Sequence, residues 1–154
     1  MAKIKREILK ELTNKRYNKI RKKLIVLKKS TKPQQLENVV AKYVGSEVSK
    51  ILIRDKRIKE LSSSKREKFI KLKNLAVEIA KLYIEMQKKF STGGTDAAKS
   101  YAETVYEPRL KVIESQLVEL IKSIRGQAGC GDRAHEFIET IIYIVSIGKS
   151  LRIL

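Results

Sequence analysis

His135 and Cys130 are the chain's one imidazole and one thiol, the side chains that most often act as nucleophile, proton carrier or metal ligand near neutral pH. A zinc centre needs three or four such ligands, so no Cys/His cluster can be built, and no metal or cofactor is expected. A single cysteine also excludes an intramolecular disulfide and with it a secreted disulfide scaffold. The glycine-rich run Gly126 to Gly131 has the look of a phosphate-binding loop. It lacks the closing Gly-Lys-Ser/Thr and follows no strand, so turn chemistry accounts for it, as it does for Gly93-Gly94. The carboxylates stand beside lysines on helical faces, with no acid–base pair among them. His135, in the first turn of a helix, reads as surface. These residues describe a binder or a building block and no enzyme.

The binding chemistry is concentrated at the N-terminus. Residues 1–32 hold thirteen Lys or Arg against Glu7 and Glu11, a local balance of +11. The residues expected to meet a polyanion are Lys3, Lys5, Arg6, Lys10, Lys15, Arg16, Tyr17, Lys19, Arg21, Lys22, Lys23, Lys28 and Lys29. Ile4, Ile8 and Leu12, then Ile20, Leu24 and Leu27, recur at helical spacing, so the stretch is an amphipathic arm and more than a charged tail. A helix over Lys3 to Lys29 is roughly 40 Å long, and duplex DNA carries one negative charge per ~1.7 Å of axis. One arm therefore faces about two dozen phosphates. An anionic membrane surface or a partner protein is the other chemistry that suits such a helix. Tyr17, set between charges, reaches phosphate with its hydroxyl or packs its ring on the apolar stripe. Lysine far outnumbers arginine, and Asn14 and Asn18 are the arm's only amide side chains, so base-specific reading has little to work with.

Over all 154 residues the formal charge is +18, split as +15 over residues 1–66 and +3 over residues 67–154. The first part is fitted to a polyanion and the second to an ordinary globular or subunit-contacting surface. No apolar leader is legible among the N-terminal charges. The longest uncharged run, Thr140 to Gly148, is nine residues, far below the ~20 needed to span a bilayer.

Two prolines, no tryptophan and an abundance of Lys, Glu, Leu and Ile predict an all-α fold: a basic N-terminal helical arm, residues 1–32, followed by a bundle of about four helices, residues 33–154. The arm is expected to break at Thr13-Asn14 and to end before Lys32-Pro33. Its apolar stripe is expected to be buried only in an assembly, because a lone helix so charged gains little from propensity. Pro33 opens a helix carrying Leu36, Val39, Val40 and Tyr43, expected to stop at Gly45, with Ser46 capping the next. That next helix carries Arg54, Lys56, Arg57 and Lys59 as a possible continuation of the basic surface. Ser64 and Glu67 form a capping box for a long helix bearing Phe69, Leu72, Ala76, Ile79, Ala80, Tyr83, Met86 and Phe90. A turn over Thr92 to Asp96 leads to a helix over 97–125, kinked or restarted at Pro108, with Tyr101, Val105, Val112, Leu117, Leu120 and Ile124 inward. Asp132 caps the last helix, whose apolar residues run almost all the way round. Such a helix sits at the centre of a bundle or lies against another subunit or lipid.

A short basic chain beginning Met-Ala-Lys, with Arg16-Tyr17-Asn18-Lys19 in a helical arm, an arm-closing Pro33 and a helix bundle behind it, resembles the major coat proteins of filamentous archaeal viruses, the lipothrixviruses and rudiviruses. The resemblance implies arms of paired subunits that wrap double-stranded DNA in A form, with Arg16, Tyr17 and Lys19 facing the DNA. It also implies homo-oligomers or paralogous hetero-oligomers in a virion filament assembled in the host cytoplasm, and a lipid envelope that the last helix could touch. A small helical RNA- or DNA-binding subunit of an RNA-guided interference complex, or a helix-turn-helix chromatin or regulatory DNA-binder, would share the same composition.

Overall fold

The computed structural model describes residues 15–53, 63–125 and 130–150. Among them the chain is an all-α bundle of five helices: α1 Lys15–Ser30, α2 Pro33–Ile53, α3 Ser63–Tyr101, α4 Glu107–Arg125 and α5 Cys130–Ser150. A π-helical segment, Ala102–Tyr106, joins α3 to α4. The four helices expected behind the arm are thus α2 to α5.

α5 is the axis of the bundle and touches each of the other four helices. That explains its apolar circumference: Phe137, Ile138, Ile141, Ile144, Val145 and Ile147 are all buried, each worth about 1.5–3 kcal/mol of burial. Ile142 and Tyr143 of the same helix are only partly buried. Around α5 stand Val40, Val44 and Val48 of α2, Leu72, Ala76, Ile79 and Ile84 of α3, and Ile113, Leu117 and Ile121 of α4.

α1 corrects the expectation for the arm. Ile20 and Leu24 are 0% exposed and belong to the common core, because α1 packs on both α2 and α5. Ile20 and Leu24 are thus buried within a single chain, without any assembly, and Leu27 is half-buried. Ile4, Ile8 and Leu12, and the break at Thr13-Asn14, lie outside the described residues. The connection to α2 is as expected: Thr31-Lys32 forms a short turn in which the Gln35 amide donates to the Lys32 carbonyl at 2.9 Å, and Pro33 is the first residue of α2. A proline there gives up an N–H that had no helical partner.

Gly45 does not end a helix. α2 runs through it to Ile53, and Ser46 lies half-buried inside the helix. A Cβ built on Gly45 would stand 2.8 Å from Val77 Cγ2 and 3.0 Å from the Lys73 carbonyl oxygen. The glycine is there because the α2 and α3 backbones approach too closely for a side chain. Arg54, Lys56, Arg57 and Lys59 lie outside the described residues, and α3 begins at Ser63, so Ser64 is already inside the helix and is not the cap expected before Lys65.

The turn expected at Thr92 to Asp96 is a kink within α3. Helical turns continue on both sides, and the break falls on Gly94 alone, with φ 73° and ψ −164°, a conformation open in practice only to glycine. Beyond it the inward face differs from the one expected. Val105 and Val112 are 41% and 46% exposed, while Tyr106, Ile113 and Ile121 are buried; Leu117 is buried as expected. The π segment supplies the reason. The Glu107 amide reaches back to Ala102, five residues away, which inserts an extra residue just ahead of Pro108 and turns the following face. Phe90 is likewise 51% exposed, where an inward position was expected. Finally, α5 starts at Cys130, so Asp132 sits in its first turn and is not the cap.

Candidate nucleic-acid interface

α1 reads KRYNKIRKKLIVLKKS: eight of its sixteen residues are Lys or Arg and none is acidic. Lysine, arginine and leucine are good helix formers, and Lys28 and Lys29 in the last turn suit the negative end of the helix dipole. The Ser30 hydroxyl closes that turn by donating to the Val26 carbonyl at 2.8 Å.

With Ile20 and Leu24 turned into the core, the charges point outward. Lys19, Arg21, Lys22, Lys23, Lys28 and Lys29 are all exposed. Arg21 and Lys28, like Lys22 and Lys29, are seven residues and two turns apart, so they stack along the helix at about 10 Å. Lys15, Arg16 and Tyr17 begin the same helix, their side chains outside the described set, and Lys3, Lys5, Arg6 and Lys10 lie wholly outside it. The structure therefore brings together six of the thirteen expected side chains on one surface.

That surface carries no acidic residue of its own helix. Elsewhere several exposed cations have carboxylate partners: Lys88 with Glu37, Arg109 with Glu78 at 2.5 Å, Lys89 with Glu85 at 3.8 Å, Lys122 with Glu119 at 3.6 Å. Those partners hold the Lys88 ammonium and the Arg109 guanidinium above their ordinary pKa ranges. On α1, Lys19, Arg21, Lys22, Lys23 and Lys29 make no ion pair among the described residues. Like charges at three- and four-residue spacing cost a few tenths of a kcal/mol per pair. The burial of Ile20 and Leu24 offsets that cost, and an approaching polyanion removes it. A helix of sixteen residues is about 24 Å long and runs past roughly fourteen duplex charges.

Val26, missed in the sequence, is 54% exposed in the middle of this face. Lys19, Lys22, Lys23 and Lys29 stand three, four or seven residues from it. Its being out of phase with the Ile20–Leu24–Leu27 stripe was the signal available.

Among the described residues no group of three His, Cys, Asp or Glu could hold a metal. His135 is a half-exposed surface residue whose Nε2 lies 3.1 Å from Glu139, as its surface reading expected. A cleft of about 480 Å³ between α2, α3 and α5 has Ile84 and Val145 at its base and Glu37, Gln87, Lys88 and Lys149 around it. A more open groove of about 740 Å³ follows the α3–α4 seam. Neither holds an arrangement of nucleophile and base. No helix of the described residues is long and apolar enough to cross a membrane. Comparison with known protein families, with curated proteins and with solved structures found no match to this chain.

Proposed function

We propose that the outer face of α1 binds the phosphate backbone of double-stranded DNA without reading its sequence. On this reading the chain is a structural protein that coats long duplexes and, with copies of itself or of a paralogue, builds a helical filament. That is the role of the coat proteins of filamentous archaeal viruses whose organisation the sequence resembles, and the virion is then its place of action. The observation that carries the reading is the exposed, acid-free row of Lys19, Arg21, Lys22, Lys23 and Lys29, backed by a buried apolar side. Lysine ammoniums are point charges suited to phosphate and give little base discrimination. Because Ile20 and Leu24 already anchor the helix, the cationic row is presented ready-made, and less ordering free energy is lost on contact.

The test is electron microscopy of the purified full chain with long duplex DNA. Regular filaments of constant diameter, formed equally on unrelated sequences, are expected. Discrete complexes at a few preferred sequences favour the regulatory DNA-binder, and binding with no regular assembly removes the coat reading.

A further inference from the structure

Arg109 pairs with Glu78 at 2.5 Å, the Tyr83 and Tyr106 ring centroids lie 6.4 Å apart, and the Lys68 ammonium donates to the Ser123 carbonyl at 3.3 Å. Each of these pairs is centred between residues 93 and 96, so the kink at Gly94 turns the chain back on itself and α3 and α4 form an antiparallel hairpin. One residue makes the reversal. At φ 73° and ψ −164° Gly94 holds a conformation that glycine alone takes readily, with helix on both sides of it. Gly93 is needed beside it, because a Cβ there would stand 2.6 Å from the Ala97 Cβ. On a straight helix, two such atoms four residues apart are separated by about 5–6 Å. Residues 91–96 are all exposed. The Ser91 and Thr92 hydroxyls donate to the Gln87 and Lys88 carbonyls of their own helix, at 3.1 and 2.9 Å, bonds that survive if the hairpin opens.

We propose that Gly93-Gly94 is a swap hinge through which two copies of the chain exchange α4 and α5. Short hinges under strain favour such exchange. When Gly94 takes helical angles, residues 63–125 become one helix of roughly 95 Å. α4 and α5 of each copy then pack on α1, α2 and α3 of the other, closing the pair about a two-fold axis. The interface is the core itself: Ile113 and Leu117 of α4, and Phe137 and Ile141 of α5, rejoin the cluster of Ile20, Val44, Leu72 and Ile79 across copies. No new surface is required, and only the hinge changes conformation. The two bundles stand about 50 Å apart along the straightened helices, which separates two charges of +18 by several Debye lengths. Within one chain the tether keeps α4 and α5 at high effective concentration, so exchange is a product of refolding or crowding at high protein concentration.

The proposal rests on the hinge and the hairpin, stands apart from DNA binding, and is tested on the full chain without nucleic acid. A Cβ on Gly94 would meet nothing within 4 Å, so Gly94→Ala acts through the backbone, penalising the turn and favouring the straight helix. After unfolding in urea and refolding at high concentration, sedimentation should show some dimer for the parent. For Gly94→Ala the association constant should be at least about a hundredfold higher, about tenfold for each of the two hinges. Inserting Gly-Ser-Gly between Gly93 and Gly94 relaxes the turn and should remove the dimer. Charge separates exchange from a surface dimer: Glu78→Arg and Arg109→Glu, each in the Gly94→Ala chain, are refolded together. A mixed exchanged pair restores both 78–109 ion pairs, whereas a surface dimer leaves each clash within its own chain. Mixed dimers should exceed the two like dimers together severalfold, where chance gives equal amounts. Should Gly94→Ala fail to fold by circular dichroism, the two charge variants are mixed in the parent chain instead. A Gly94→Ala chain that folds as a monomer, no dimer from either chain, or mixed and like dimers in equal amounts overturns the proposal.

Discussion

Leu24→Ala is the substitution that asks most directly whether α1 belongs to the fold. Leu24 is 0% exposed in a cluster shared with α2 and α5. Removing a buried leucine side chain costs its transfer free energy plus the cavity left behind, 2–5 kcal/mol in well-packed sites. Leu24 has the half-buried Ile25 and Leu27 beside it in α1, so some collapse of the cavity is open, and a loss of about 2–4 kcal/mol is expected. For a domain of this size each kcal/mol moves Tm by roughly 2–4 °C, which places the shift at about 4–16 °C. Thermal and urea unfolding followed by far-UV circular dichroism measure it, with Lys22→Ala, on the outer face, as a control expected within about 0.5 kcal/mol of the parent. Amide hydrogen exchange adds an independent reading, since docking predicts protected amides from Ile20 to Leu27 in the free protein. A Leu24→Ala protein as stable as the Lys22→Ala control, or amides that exchange freely without DNA, would refute the docked helix and restore an arm that folds only on its ligand.

The remaining expectations concern other parts of the bundle. Gly45→Ala gains about 1 kcal/mol of helix propensity but drives a methyl against Val77 and the Lys73 carbonyl, an overpacking that costs about 1–3 kcal/mol. Net destabilisation is expected in urea titration, and Gly45→Ala/Val77→Ala should recover only part of it because the carbonyl contact remains. Burial, and then the neighbouring Tyr83, push the Tyr106 phenol up from 10.0 to about 12. The unfolded chain therefore gives up this proton first, and stability is full below pH 10 and falls as the pH climbs towards 12. The parent should lose up to about 2 kcal/mol more than Tyr106→Phe across that interval, read from urea midpoints, and parallel losses in the two proteins would contradict it.

Much of this architecture is legible in the residues. Pro33 fixes the start of α2, and Gly93-Gly94 marks the α3 kink, because each restricts or frees the backbone locally. The full apolar circumference of α5 is readable as a central helix, though the sequence alone leaves subunit and lipid contact equally open. Gly45 is the instructive miss. A glycine at a C-cap and a glycine under a crossing helix look alike until the neighbouring backbone is in place. Val105 is out of phase because it lies inside the π segment, where a spacing of 3.6 residues per turn does not hold, and Val112 because the inward row beyond it is Ile113, Leu117 and Ile121, of which only Leu117 belongs to the expected set. The basic row of α1 was readable in full, whereas the burial partner of its Ile20–Leu24 stripe is a tertiary fact that periodicity does not encode.

The central claim, that the outer face of α1 holds duplex phosphate, is tested most directly by the salt dependence of binding. Affinity for one short duplex is measured across a range of salt for the parent and for Lys22→Gln/Lys29→Gln, whose side chains are exposed and lie away from the core. Each phosphate contact contributes about 0.9 to the slope of log K against log salt. The double variant should therefore bind more weakly at low salt, with a slope shallower by about 1.8, and a scrambled duplex should give the same two lines. Identical slopes for parent and variant, with affinity unchanged, would contradict the assignment and place the nucleic-acid contact, if any, elsewhere on the chain.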